Sequence, residues 1–235
     1  MKKFKVILLA GLVVGISAVF YGFNKNYDQE YNEEVIKKIS DIRENGDEDT
    51  KEFIDLLLSH DYQAEVKYYR ITSDDGSIDY THIQGSDQEK GIDIDGRFNQ
   101  NKGVIYISKG DDMYWLDLGK NIYHKDKRSN HDISKSTTTN ELTFGQSEVY
   151  IALGEINRKV EKIDNTYKAT IDDDLNFGYD IYDENGYLVE SYLDNSEGGF
   201  YTRLEKSTTD VEGVYNYYLS MIENMTYTDD IADIK

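Results

Sequence analysis

The sequence predicts an α+β fold: a curved antiparallel sheet covered on one face by helices and preceded by one N-terminal transmembrane helix. Three observations predict it. An uncharged apolar run, Val6 to Phe23, stands near the start of the chain. From Ala64 onward, short segments with period-two apolar spacing are separated by Asp, Gly and Asn. Stretches with helical spacing precede, interrupt and follow those segments.

The apolar run has 18 residues, which as a helix gives roughly 27 Å, close to the hydrocarbon thickness of a bilayer. Lys2, Lys3 and Lys5 precede it, and Asp28, Glu30, Glu33 and Glu34 follow. This asymmetry places the N-terminus in the cytoplasm and the bulk of the chain outside the membrane. Residues 1–23 are therefore read as an uncleaved anchor, with a signal peptide cut ahead of Ala18 as the alternative. Cleavage would release a secreted protein.

Tyr27, Tyr31, Val35, Ile39 and Ile42 follow as one stripe of an amphipathic helix or stalk over 24–46, ending at Asn45-Gly46. Asp49 and Glu52 resemble a capping box for a second helix that carries Phe53, Ile54, Leu56, Leu57 and Leu58. Alternation then begins at Ala64, Val66 and Tyr68, and Asp74-Asp75-Gly76 turns the chain into a hairpin with 78–83. Further strands are expected at 91–98, 103–108, 113–118 and 122–124, and a long exposed loop over 125–143, with Ser136-Thr-Thr-Thr139 inside it. Val149, Leu153, Ile156, Val160 and Ile163 predict one middle helix capped by Ser147.

Strands are expected again at 167–171, 177–182, 187–193 and 200–204, with Glu184-Asn185-Gly186 as the strongest hairpin signal. Thr209 and Glu212 predict a capping box for a last helix with Val211, Val214, Tyr215, Tyr218, Leu219 and Ile222 on its apolar face. Residues 229–235 are expected to fray. No linker divides 47–228, which predicts one extracytoplasmic α+β domain.

Composition bounds the chemistry. The chain of 235 residues has no cysteine and no proline, and its 26 basic against 46 acidic residues give a net charge of −20. A phosphate backbone would be repelled, so no nucleic-acid partner is expected. Thiolate metal sites, disulfides and cysteine nucleophiles are excluded.

The order of elements resembles that of LolA/LppX-like half-barrel domains, which are lipoprotein-carrier-like, including firmicute relatives that act in spore germination. Phe53–Tyr69, Val104–Leu118 and Tyr187–Tyr192 carry the resemblance, over about residues 50–205. It implies an incomplete barrel around helices, with an apolar cavity for a lipid, a lipoprotein acyl chain or a segment of a partner protein. Two features depart from the pattern: the chain lacks the cysteine that makes many members lipoproteins, and it ends in a long additional helix.

No motif points to catalysis. His60, His82, His124 and His131 share no helical face, and there is no His-Glu-x-x-His or Gly-x-Ser-x-Gly. His82 is expected to fill a strand face, and His124 and His131 to be solvated. Asp183, Asn185 and Gly186 match part of a calcium loop, but Ile181 and Tyr192 occupy positions that need oxygen ligands, so the hairpin reading prevails. Asp41, Asn45, Gly46 and Glu52 fail because Arg43 would enter the ligand shell, and Asp172-Asp173-Asp174 is read as a solvated turn. No cofactor, no metal and no enzymatic activity are expected.

Tyrosine is the unusual residue. Among the 21, Tyr62, Tyr68, Tyr69, Tyr80, Tyr106, Tyr114, Tyr123, Tyr167, Tyr179, Tyr182, Tyr187, Tyr192 and Tyr201 fall mostly in predicted strands, where such rings pack a half-buried surface. Tyr106, Met113, Trp115 and Leu116 are the candidate lining of an apolar or glycan site. The chain is thus expected to be an anchored extracytoplasmic binding module for a lipid-like ligand or an envelope protein. The alternatives are an accessory envelope subunit without a cavity and, further off, a cell-wall hydrolase.

Overall fold

The computed structural model describes residues 29–60, 64–130, 144–154, 158–172, 176–195 and 198–234. The predicted anchor, the Ser136–Thr139 run, His131 and Tyr62 lie outside these. Among the described residues no helix is long and apolar enough to cross a membrane. In chain order come helices α1 (Gln29–Asn45) and α2 (Glu48–Leu58). Six strands follow: β1 (Glu65–Ser73), β2 (Asp79–Asp87), β3 (Ile92–Asn99), β4 (Lys102–Lys109), β5 (Asp112–Asp117) and β6 (Ile122–Lys127). Next are α3 (Phe144–Val149), then β7 (Lys159–Ile163), β8 (Thr166–Asp172), β9 (Asn176–Tyr182), β10 (Leu188–Asn195) and β11 (Gly198–Thr208), and finally α4 (Val211–Met221) and β12 (Thr226–Tyr227). Strand predominates, with a few helices. The chain forms two compact units, one of 1–62 with 134–201 and one of 63–133 with 202–235. β11 begins in the first and ends in the second.

In the 63–133/202–235 unit the strand order is β12-β6-β5-β4-β3-β2-β1-β11. β1 to β6 pair antiparallel in sequence, and their register sets Tyr68, Ile83, Gly96, Ile105, Leu116 and Tyr123 in one cross-strand row. This row belongs to a core that α4 closes with Val211, Tyr215 and Tyr218. Ile83, Ile92, Ile105, Ile107 and Leu116 have no solvent exposure, and each such side chain stabilises the fold by about 1.5–3 kcal/mol through burial. Gly103, near the start of β4 and opposite Phe98 in register, has φ +137°, and a Cβ there would stand 2.1 Å from the Arg97 carbonyl oxygen.

Two expectations at the C-terminal end are corrected here. The cap of α4 is Asp210, whose Oδ1 accepts from the Gly213 N–H at 2.9 Å, while Glu212 pairs with Lys109 at 2.6 Å and Lys90 at 3.3 Å. A helix start needs one side-chain acceptor close to the free N–H groups, and Asp210 reaches first. The tail does not fray over its described part: β12 pairs parallel with β6, and Thr228 Oγ1 donates to Asp233 Oδ2 at 2.7 Å.

In the 1–62/134–201 unit the order is β7-β8-β9-β10-β11, and β7 to β10 pair antiparallel in sequence. Their helix-side residues, Val160, Tyr167, Ala169 and Tyr182, pack with Val35, Ile39, Phe53, Ile54, Leu57, Val149 and Leu153 of the helical segments. Phe53 stacks on Tyr167 with centroids 5.2 Å apart and tilts against Tyr182 at 4.8 Å. The cap of α2 is Asp47, accepting from Thr50 N–H at 2.9 Å. Asp49, expected in that role, instead accepts the Lys162 N–H at 2.9 Å and so satisfies an outward donor of the edge strand β7.

The single middle helix is also corrected. α3 already contains Ser147, passes into a π-helical turn over Tyr150–Gly154, and Val160 and Ile163 belong to β7. The run Lys159–Ile163 also alternates, and pairing with β8 across Asp164-Asn165 decides in favour of strand.

Candidate functional site

The predicted lining residues sort onto two faces. Leu116 sits in the core under α4. Trp115 and Met113, one and three residues earlier, point the other way, because side chains alternate along a strand. On that other face the register sets Gln84, Asp95, Tyr106, Trp115 and His124 directly opposite one another across β2 to β6. Ring centroids are 5.3 Å apart for Tyr106–Trp115 and 5.7 Å for Trp115–His124, and His124 stacks on Tyr227 of β12 at 6.4 Å. Four rings thus form a ladder that ends at Tyr227, which is 52% exposed.

The neighbouring row holds Ser86, Asp93, Ser108, Met113 and Asp126. Arg128, just past β6, donates to Asp93 Oδ2 at 2.7 Å and to Ser108 Oγ at 3.0 Å. Towards β1 the same face is buried: Tyr69, Ile71 and His82 lie there, and His82 Nε2 donates to Asp95 Oδ1 at 2.7 Å. His82 fills a strand face as expected. His124 does not behave as a solvated loop residue, because β6 runs on through it and its Nδ1 donates to the Thr228 carbonyl at 3.0 Å.

The other unit offers two places. A cavity of about 430 Å³ is lined by Glu52, Asp55, Leu56, Lys162, Asn165, Tyr167 and Glu184. Its mouth carries the Lys162–Glu52 ion pair, and Lys162 also lies over the Tyr167 ring at 5.4 Å. This recess is open to solvent and most of its lining residues are charged, unlike the enclosed apolar chamber a lipid chain needs.

The second place is the face of β8–β11 turned away from the helices. Tyr179 and Tyr192 are opposite one another in register, with centroids 6.0 Å apart, and Tyr201 and Phe177 flank Tyr192 at 6.3 and 6.5 Å. Among these rings stands Glu190, which accepts from Tyr179 Oη at 3.1 Å and from the Tyr201 hydroxyl. The Glu190 carboxylate raises the Tyr201 pKa, since it accepts the very proton that ionisation would remove; burial raises that of Tyr179, with Glu190 adding to it. Lys168 holds its ammonium over the Tyr179 ring at 4.5 Å.

Sequence reasoning singled out these tyrosines as strand residues but missed Glu190. The signal was the period of two, which places Glu190 and Tyr192 on one face. Beside the turn at Asn185-Gly186, His60 bridges Glu148 and the Asn185 carbonyl and stacks on Tyr187 at 5.1 Å. Asp183 Oδ1 accepts from the N–H groups of Asn185 and Tyr187, both at 2.9 Å, so the partial calcium loop is a hairpin turn. Among the described residues no group of three or more His, Asp or Glu side chains is placed to hold a metal ion.

No family model matches the chain, and no curated protein matches it. Among solved structures it is similar to MucB, at 11% identity and a TM-score of 0.38, over 70% of this chain and 60% of that one. It is similar to PNGF-II at 10% identity and 0.30, over 73% and 32%. The third is the lipoprotein LppX of Mycobacterium tuberculosis, at 14% identity and 0.31, over 68% and 92%. The chain spans less than two thirds of the length of the first two. LppX is of the LolA/LppX-like group that the sequence resembles.

Proposed function

We propose that the chain is a non-enzymatic, extracytoplasmic binding module, tethered by residues 6–23, that docks an envelope protein on the helix-free faces of its sheets. One observation carries this reading. Among the described residues, the helix side of each unit is packed with that unit's own side chains, whereas half-exposed aromatic residues gather on the opposite face. Aromatic rings with polar groups at their edges are the residues that supply binding energy at protein interfaces. The filled cores disfavour a lipid carrier, because an acyl chain would need volume that Ile83, Ile105, Ile107 and Leu116 already occupy. The half-barrel form and the anchor belong to this proposal.

Native mass spectrometry of residues 24–235 purified from cells, before and after organic extraction, tests it. The expected spectrum is that of the bare polypeptide in both samples. A lipid of defined mass that leaves on extraction would replace docking by lipid carriage.

A further inference from the structure

The aromatic face of β8–β11 has a feature that packing alone does not call for. A carboxylate, Glu190, stands two residues before Tyr192 on the same face of β10 and accepts from two phenol hydroxyls, those of Tyr179 and Tyr201. Two donors leave a carboxylate with unused acceptor capacity. The faces of aromatic rings are electron-rich and attract ammonium and guanidinium groups. The chain supplies an example itself, in Lys168 over Tyr179. Phe177, 51% exposed, flanks Tyr192 on the same face and offers apolar contact to an alkyl stem.

We propose that Glu190, Tyr179, Tyr192, Tyr201 and Phe177 form a receptor for a lysine or arginine side chain on an extended segment of a partner protein. The carboxylate takes the charge, the rings take the flat or tetrahedral cation, and Phe177 takes the aliphatic stem. A net charge of −20 draws basic segments toward the molecule at long range, and the ring-bounded carboxylate gives one of their side chains a defined seat. The site rests on the docking reading above and names the chemistry it would recognise.

The test is a fluorescence anisotropy titration of the full chain, in non-ionic detergent at physiological salt, with a labelled peptide of alternating lysine and serine. The same peptide with acetylated lysines is the comparison. The free lysine peptide is expected to bind at least about tenfold more tightly, and both Glu190→Gln and Tyr192→Leu to weaken it by about tenfold. Tyr192→Phe, which keeps the ring, should stay within about twofold, and Lys168→Met should tighten binding by about threefold, since an internal competitor is gone.

Asp74→Asn removes one charge from an exposed turn in the other unit and should leave affinity within about twofold. Equal losses from Asp74→Asn and Glu190→Gln would reduce the effect to net charge and overturn the site, as would equal binding of the acetylated peptide. Should Tyr192→Leu lower the melting temperature, Glu190→Gln and Tyr192→Phe decide alone. Cross-links of a partner to position 115, in the other unit, would survive loss of this site, so its failure is distinguishable from failure of the docking reading.

Discussion

At the scale of single residues, the account turns on groups whose position leaves little choice. Gly186 has φ +78°, and a Cβ there would stand 2.8 Å from His60 Cε1. Gly186→Ala should therefore cost about 1–3 kcal/mol, from backbone strain and from displacing the His60 bridge; urea unfolding checks it, and an unchanged midpoint would contradict that geometry. The tyrosines make a second prediction. Burial pushes Tyr215 up to about 12 from the ordinary 10.0, Tyr218 is raised mainly by burial, and Tyr201 is raised by Glu190. A phenol with a raised folded pKa keeps its proton longer in the fold than in the unfolded chain. Its contribution is complete below about pH 10 and is lost as pH rises through the folded value. Stability should fall between about pH 10 and 12 while phenolate absorbance lags behind that of the urea-unfolded chain. Coincident titration curves would contradict this. Much of the tyrosine face was legible residue by residue, because alternation assigns each ring a side; Glu190 was not, because among 46 acidic residues only the rings around it mark it out.

At the scale of elements, caps and pairing decide what composition leaves open. Asp210→Ala should destabilise by about 1 kcal/mol through loss of the Gly213 N–H acceptor, whereas Thr209→Ala should stay within about 0.5 kcal/mol. Thermal unfolding of the two variants checks the assignment, and the reverse order would restore the capping box predicted at Thr209. Leu116→Ala, which opens a cavity beneath α4, should cost about 2–5 kcal/mol. Ten of the strands were legible because Asp, Gly and Asn punctuate short alternating runs, as at Asp74-Asp75-Gly76 and Asn185-Gly186. β7 was not, since Val149, Leu153, Ile156, Val160 and Ile163 also satisfy helical spacing. Hydrogen bonding to β8, a non-local term, settled it. β12 was hidden for the same reason: two residues carry no period, and only their pairing with Ile122 and Tyr123 makes them a strand.

At the scale of the whole molecule, the chain combines a net negative charge, two packed units and, in each unit, an aromatic sheet face opposite that unit's own helices. The ladder Tyr106–Trp115–His124–Tyr227 in one unit and the Glu190 cluster in the other are separate surfaces, each built from cross-strand register. Their existence was foreshadowed by the tyrosine content; their composition required the strands to be paired. The claim that these faces, rather than an internal chamber, do the binding is tested most directly by photo-cross-linking in cells. A photoreactive amino acid would replace Trp115, Phe177 or, as a solvent-exposed control, Asp74 in the full chain. The account predicts discrete protein adducts from positions 115 and 177, and none from position 74. Adducts from position 74 equal to those from the other two, or no adduct from either aromatic face, would contradict it.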